Sequence, residues 1–172
     1  FAHNSAAEGS AIFKSKTANL EIWNSIAAQN TSLTNYHVWT SDEGGLPIGH
    51  SLLEEGLQAW HVDLGGNIAQ DPGFVDLFGP DEVGGTVDDD LRLGPFSPAI
   101  DAGENNSVPN DVLDLNNNGN TIERLPYDVR ESERVHSSSF EQLVDIGSYE
   151  FDVISDPVVG SPGLLRGGNL EC

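Results

Sequence analysis

The 172-residue sequence predicts an all-β fold: terminal coils of a parallel β-solenoid, followed by an irregular closing region. Three observations lead there. Short apolar–polar alternations recur through residues 1–64, and the dipeptides Asn24-Ser25 and His50-Ser51 stand 26 residues apart, with Asn4-Ser5 lying 20 before the first. Segments with helical periodicity are nearly missing. Two stretches, Leu91-Arg-Leu-Gly-Pro-Phe-Ser-Pro-Ala-Ile-Asp-Ala-Gly103 and Val144-Asp-Ile-Gly-Ser-Tyr-Glu-Phe151, join strand-like alternation to Gly, Pro and Asp turns and hold no nucleophile–base pair. They read as parts that close a structure.

In chain order, Asn4-Ser-Ala precedes Gly9-Ser-Ala-Ile-Phe13, and Leu20, Ile22, Asn24 and Ile26 then alternate through Leu20–Asn30. Tyr36-His-Val-Trp39 and Ile48-Gly-His-Ser-Leu-Leu-Glu54 follow. Short strands recurring at such intervals between Gly, Asn and Ser suggest stacked coils, each contacting only its neighbours. Ile, Val, Leu and Phe stack inward, and a corner Asn can bond its counterpart one coil away. The competing arrangement is an antiparallel sandwich with irregular loops. One turn of helix is expected in Ser51–Ala59, from Leu52, Leu53, Gly56 and Leu57.

From Trp60 the composition changes. Gly65-Gly-Asn-Ile-Ala-Gln-Asp-Pro-Gly-Phe-Val-Asp76 turns at Asp71-Pro72-Gly73, and residues 77–90 end in Asp88-Asp-Asp90 as a surface loop. Leu91 and Leu93 then alternate as a strand, and Gly94-Pro95 and Ser97-Pro98 impose extended or turn backbone. Residues 104–143 are long, polar and Asn-rich, which points to an ion-organised or functional segment. In 144–151 the apolar patch is Val144, Ile146, Tyr149 and Phe151, with Asp145 and Glu150 facing elsewhere. The expected divisions are coils over 1–64, a closing region over 65–151, and a linker or tail over 152–172.

Charge limits the partners. Acids number 28 against 7 Lys and Arg, a net charge of −21, and residues 63–172 carry 22 of the acids with only five Arg. Such a surface repels phosphate backbones and anionic headgroups, which argues against nucleic-acid and membrane-surface partners. Calcium is the small cation that dense carboxylate and Asn oxygen suits; the bland alternative is acid serving solubility. A single Cys172 allows no disulfide within the chain, no apolar run is long enough to span a bilayer, and Phe1 with no Met anywhere suggests a mature product or a fragment.

The Gly65–Asp76 unit, Leu91-Arg-Leu-x-x-x-Ser-Pro-Ala-Ile-Asp-Ala-Gly103 and Val144–Phe151, in that order, resemble one bacterial family. It is the right-handed parallel β-helix surface proteins whose C-terminal coils carry the choice-of-anchor Q domain, and the likeness covers about residues 1–151. The resemblance implies right-handed coils and an exported setting, secreted or at the cell surface. The chain lacks a recognisable sorting signal after Phe151.

The sharpest local motif is Asp114-Leu-Asn-Asn-Asn-Gly-Asn-Thr-Ile-Glu123. Asp114, Asn116 and Asn118, with Gly119 sixth, match the first half of a calcium loop; Asn120 can add an oxygen. The twelfth position is Leu125 where a bidentate Glu is wanted, so Glu123 or Asp128 must substitute and affinity should be weak. The rival is an Asn-rich turn satisfied by its own backbone. Asp88-Asp-Asp90 reads as a solvated run, and His50, His61 and Asp63 match no zinc spacing. Trp23, Tyr36 and Trp39, with Trp60, are candidate glycan contacts, Trp23 pointing opposite to Ile22; aromatics covering coil ends are the alternative. Asn30-Thr-Ser and Asn105-Asn-Ser are glycosylation sequons, meaningful only in a eukaryotic secretory cell.

Polysaccharide lyases and glycoside hydrolases also use parallel β-helices. A lyase needs a base and a carboxylate neutraliser, and a hydrolase needs two opposed acids. Arg92, Arg124, Arg130 and Arg134 offer few cations, Arg92 sits in a closing motif, and no acid pair can be singled out. The expected role is therefore structural, in adhesion or contact with extracellular polysaccharide or a cell-surface ligand, with calcium as the candidate cofactor.

Overall fold

In the computed structural model, residues 1–41, 45–134 and 143–151 are described; the expected tail, 152–172, lies outside them. Among these residues the fold is all-β, built from eleven strands of two to four residues and a single 3-10 turn at Asn105–Ser107.

Strands β1 (Ser5–Ala6), β2 (Ile12–Lys14), β3 (Ile22–Trp23) and β4 (Ile26–Ala27) form one pass of chain. A second pass holds β5 (Thr31–Ser32), β6 (Val38–Thr40), β7 (Leu46–Gly49) and β8 (Leu52–Leu53). Each strand pairs in parallel with its counterpart: Ser5 with Thr31, Ile12 with Val38, Ile22 with Ile48, Ile26 with Leu52. The spacing is 26 residues every time, the interval at which Asn24-Ser25 repeats as His50-Ser51. A shortened third pass contributes β9 (His61–Asp63), where Leu46 pairs with His61, and a bridge from Leu52 to Ile68.

The corners repeat with the strands. His3 and Gln29, Gly9 and Asn35, and Asn24 and His50 all have φ between 43° and 56°, and Gly66 continues the last series at 68°. Left-handed backbone is tolerated best by Gly and Asn, which explains why these types punctuate the short strands. The expected corner ladder is present: Asn30 Oδ1 accepts the Asn4 backbone N–H at 2.9 Å and the Asn4 side-chain amide at 3.0 Å. Ser51 Oγ likewise accepts the Ser25 N–H at 3.2 Å.

Strands β4 and β8 differ from the rest in burying apolar side chains at adjacent positions, Ile26 with Ala27 and Leu52 with Leu53. A strand buried on both faces needs apolar residues at consecutive positions. Ala27 and Leu53 face inward with Ile22, Val38, Leu46 and Ile48. Ile26 and Leu52 face outward and pack with Leu93, Ala99 and Ile146. Leu52-Leu53 is therefore a strand, and the helical turn expected in Ser51–Ala59 does not form, since both leucines are claimed by opposite faces.

That outward apolar face fixes where the closing region sits. Strand β10 (Phe74–Asp76) pairs antiparallel with β11 (Asp90–Leu93), and the two closing stretches then meet, Ile146 N–H donating to Ala99 O (2.9 Å) and Gly103 N–H to Val144 O (2.8 Å). They lie along the side of the passes, reaching both: Gly147 N–H donates to Asn24 O (3.0 Å), Glu104 N–H to Asn24 Oδ1 (2.7 Å), and His50 Nδ1 lies 3.1 Å from Ala102 O. The closing region therefore packs laterally against the first two passes. Asp145 and Glu150, expected to face elsewhere, are buried at 3% and 6% exposure, because each carboxylate accepts from the backbone of the closing stretches.

Candidate functional site

The Asn-rich segment is a loop closed at its base. Asp111 N–H donates to Glu123 O (2.7 Å) and Leu125 N–H to Pro109 O (2.8 Å), with Asn110 bridged antiparallel to Arg124. Inside this clip, positive φ at Asp114 (51°), Asn117 (56°) and Gly119 (80°) curls the chain tightly.

The curl gathers all five expected residues. Asp114 Oδ1 accepts the N–H groups of Asn118 (2.9 Å) and Gly119 (3.1 Å). Glu123 Oε1 accepts the side-chain amides of Asn116 and Asn118, both at 2.8 Å, and Oε2 that of Asn120 at 3.3 Å. Asn116, Asn118 and Asn120 each also accept a backbone N–H two residues on, the Asx-turn pattern that favours this residue type. Glu123, rather than Leu125, is thus the residue whose side chain the Asn amides converge on.

Two carboxylates and three carboxamides make a hard-oxygen donor set, the chemistry Ca²⁺ prefers. The carboxamides present nitrogen to Glu123, and rotation of the terminal amide presents oxygen instead. Among the described residues no three His, Cys, Asp or Glu side chains gather in a way that could hold a metal, so a cation here depends on the Asn oxygens. Asp111, at the clip, was not legible as part of this unit. It is fully buried, its Oδ2 accepts the Leu115 N–H at 2.8 Å, and its Oδ1 has no hydrogen-bond partner.

The aromatic candidates divide into two places. Tyr36 and Trp39 stack at 5.8 Å, and Trp60 meets both edge-on at 4.6 and 4.7 Å. Trp23 stacks on His50 at 6.3 Å and covers Gly49, where an added Cβ would strike the indole. Ile22 is buried and Trp23 half-buried, as their alternation requires. Rings packed edge-to-face are partly spent on one another rather than presented as a flat platform.

The remaining candidates, Asp88–Asp90, His50, His61 and Asp63, have backbone or local partners. Asp88 accepts from the Thr86 hydroxyl (2.6 Å), Asp89 from Gly85 N–H (2.7 Å), and Asp90 pairs with Arg92 (2.5 Å). The Asp88–Asp90 run is open to solvent, fully at Asp88 and partly at Asp89 and Asp90, as the charge pattern suggested, and its carboxylates also fasten the loop. His61 Nε2 lies 3.1 Å from Val38 O, and Asp63 accepts from Gly65 and Asn67; with His50 on Ala102 O, they build no zinc site.

No helix among the described residues is long and apolar enough to cross a membrane. No protein-family model, curated protein or solved structure matches this chain.

Proposed function

We propose that the chain is a non-catalytic structural segment: the last coils of a right-handed parallel β-helix with a laterally packed closing region, from an exported bacterial surface protein. The observation that carries this reading is the constant 26-residue spacing of four parallel strand pairs. Repeating corners and an Asn ladder support it, since a solenoid aligns like residues coil upon coil. The likeness of residues 65–76, 91–103 and 144–151 to choice-of-anchor Q motifs supports the surface setting. Inserting a second copy of residues 4–29 after Gln29 tests it. One further coil should lengthen the particle by about 5 Å while unfolding stays cooperative, whereas a 13-residue insertion should disrupt it. Equal disruption by both insertions would sink the stacked-coil reading.

Within that segment, the Asp114–Glu123 loop is a weak Ca²⁺ site that stiffens the closing region. Asp114, Asn116, Asn118, Asn120 and Glu123 are the ligands, and affinity belongs to the millimolar range of extracellular modules. The test is thermal unfolding in CaCl₂ against EDTA. Wild type should melt higher with calcium, and Asp114→Asn should lose the shift while its EDTA melt stays near wild type, Asn keeping the left-handed backbone and an acceptor oxygen. An unshifted wild type leaves the loop as a self-satisfied turn.

A second reading, carbohydrate binding, is favoured by one feature. Phe13 is half exposed and lies in register with Trp39 one coil on, beginning an aromatic strip across the coils. Soluble polysaccharides that retard wild type but not Phe13→Ala in affinity electrophoresis would favour binding over a purely structural role.

A further inference from the structure

The last closing stretch is fastened by carboxylates buried beside one another. Glu150 Oε2 accepts the Asp145 N–H at 2.9 Å, and Asp145 accepts from Asp101 N–H (2.8 Å) and Phe151 N–H (2.6 Å) through its two oxygens. Asp128 Oδ2 accepts the Glu150 N–H at 3.0 Å, while its Oδ1 takes the N–H groups of Arg130 and Ser132. All three acids are under 9% exposed. Arg134 is the cation facing them: its guanidinium lies 3.7 Å from Glu150 Oε1 and donates to Gly147 O at 2.7 Å. Glu131 and Glu133, on the same turn, are exposed, as is Asp101 on the opposite stretch. Toward the strands, the neighbouring titratable pair is His50 and Glu104, 4.0 Å apart.

Three buried acids against one guanidinium carry surplus negative charge when all are ionised. Glu150 Oε1 is buried and accepts no hydrogen bond. An ionised oxygen so placed is buried without a hydrogen bond and offset only in part by the Arg134 guanidinium 3.7 Å away, a penalty that a proton removes. The backbone these acids hold is the backbone that joins the two closing stretches, through Ile146 to Ala99 and Gly103 to Val144.

We propose that this cluster is an acid-tightened clasp: a proton taken up by the Asp145–Glu150 pair fastens residues 143–151 onto residues 99–103, and its loss loosens them. The titration agrees with the geometry. Burial, then the neighbouring acid, pushes Glu150 up to about 8, and burial pushes Asp145 up to about 6. The folded state therefore holds protons that the unfolded chain has released. The pair's contribution to stability is fully present below about pH 4, falls through neutrality, and is lost above about pH 8.

Amide exchange read residue by residue tests the clasp at about pH 5.5 and about pH 8.5. In wild type, protection of the Gly103, Asp145, Ile146 and Phe151 amides should be on the order of tenfold higher at the lower pH, while Ile48 and Leu53 change little. Glu150→Gln, which cannot ionise, should flatten that ratio; Asp145→Asn should shrink it and serves if the first variant folds poorly. A ratio that survives in whichever variants fold, or an equal loss of protection at Ile48 and Leu53, overturns the clasp in favour of general repulsion across an acidic chain.

Discussion

The two halves satisfy their backbone in different ways. In residues 1–64 strands hydrogen-bond to strands one pass away, and side chains are free to stack Ile on Ile and Leu on Ile. In residues 65–151 carboxylates take over that work: Asp71 holds Gly73, Asp76 holds Gly79, Asp81 holds Val83, Glu104 holds Asn106, and Asp128 holds three N–H groups. A buried or tightly turned N–H must find an acceptor, and where no ladder supplies one, Asp and Glu do. Much of the acidic surplus is therefore structural. Glu54 and Glu55 hold the Gln29, His37 and Val38 N–H groups in the repetitive half too. There, however, ladders and burial dominate, whereas the irregular half leans more on charge-assisted hydrogen bonds, so the halves should answer to different perturbations.

The largest expected effect is at their junction. Leu52 packs outward on the closing region and Leu53 packs inward, so either change to Ala should cost about 2–5 kcal/mol in denaturant unfolding. At matched global loss, Leu52→Ala should expose the Ile146 and Gly103 amides to exchange more than Leu53→Ala does. Identical exchange patterns would mean that the halves share one undivided core. Next comes Asn30→Ala, which strips acceptor and donor from a residue 8% exposed, leaves the Asn4 N–H unmet and takes one of two donors from Phe1 O. With Phe1 O still accepting from Ala28 N–H (3.2 Å), the Asn4 N–H is the group left without a partner, and the change should cost about 1–3 kcal/mol, felt in the first pass before the closing region.

These outcomes bear on what the residues could disclose beforehand. The 26-residue interval was readable because corner and core residues both repeat: Asn24-Ser25 with His50-Ser51, Ile22 with Ile48. The double-sided burial of β4 and β8 left a signal too, the adjacent apolar pairs at 26–27 and 52–53, which single-face alternation misread as a helical turn in the second case. The tight curl of the Asn-rich loop was readable from spacing, since Asx turns are local. The carboxylate clasp was not, because Asp128, Asp145 and Glu150 reach amides up to 44 residues away and nothing in an isolated acid reports burial. Lateral packing was equally hidden, as it depends on which face of a two-residue strand remains uncovered.

A smaller effect separates the halves by acid. Asp90 is held below the usual carboxylate range chiefly by its hydrogen bond with Arg92, and Asp88 by the bond from the Thr86 hydroxyl. Their contribution is present above about pH 4 and is lost as pH falls through their lowered folded values. Together with the clasp, this gives residues 65–151 a bell-shaped dependence, tightest in mild acid. Exchange protection of residues 1–64 should vary much less over the same range. A flat profile in both halves would dissolve the distinction between burial and charged hydrogen bonding.

The smallest effect belongs to Gly119→Ala. Gly119 has φ +80°, and a Cβ there would meet nothing within 4 Å, so the cost is conformational alone, about 1–2 kcal/mol. Because the loop is clipped at Asp111 and Glu123, that strain should stay inside it: the EDTA melt should shift by a few degrees at most, with Ile146 exchange unchanged. The calcium-dependent shift should shrink more than the melt itself, since Gly119 N–H steadies the Asp114 carboxylate. Strain that spreads to Ile146 would show that the loop is continuous with the clasp and that the irregular half is one cooperative unit.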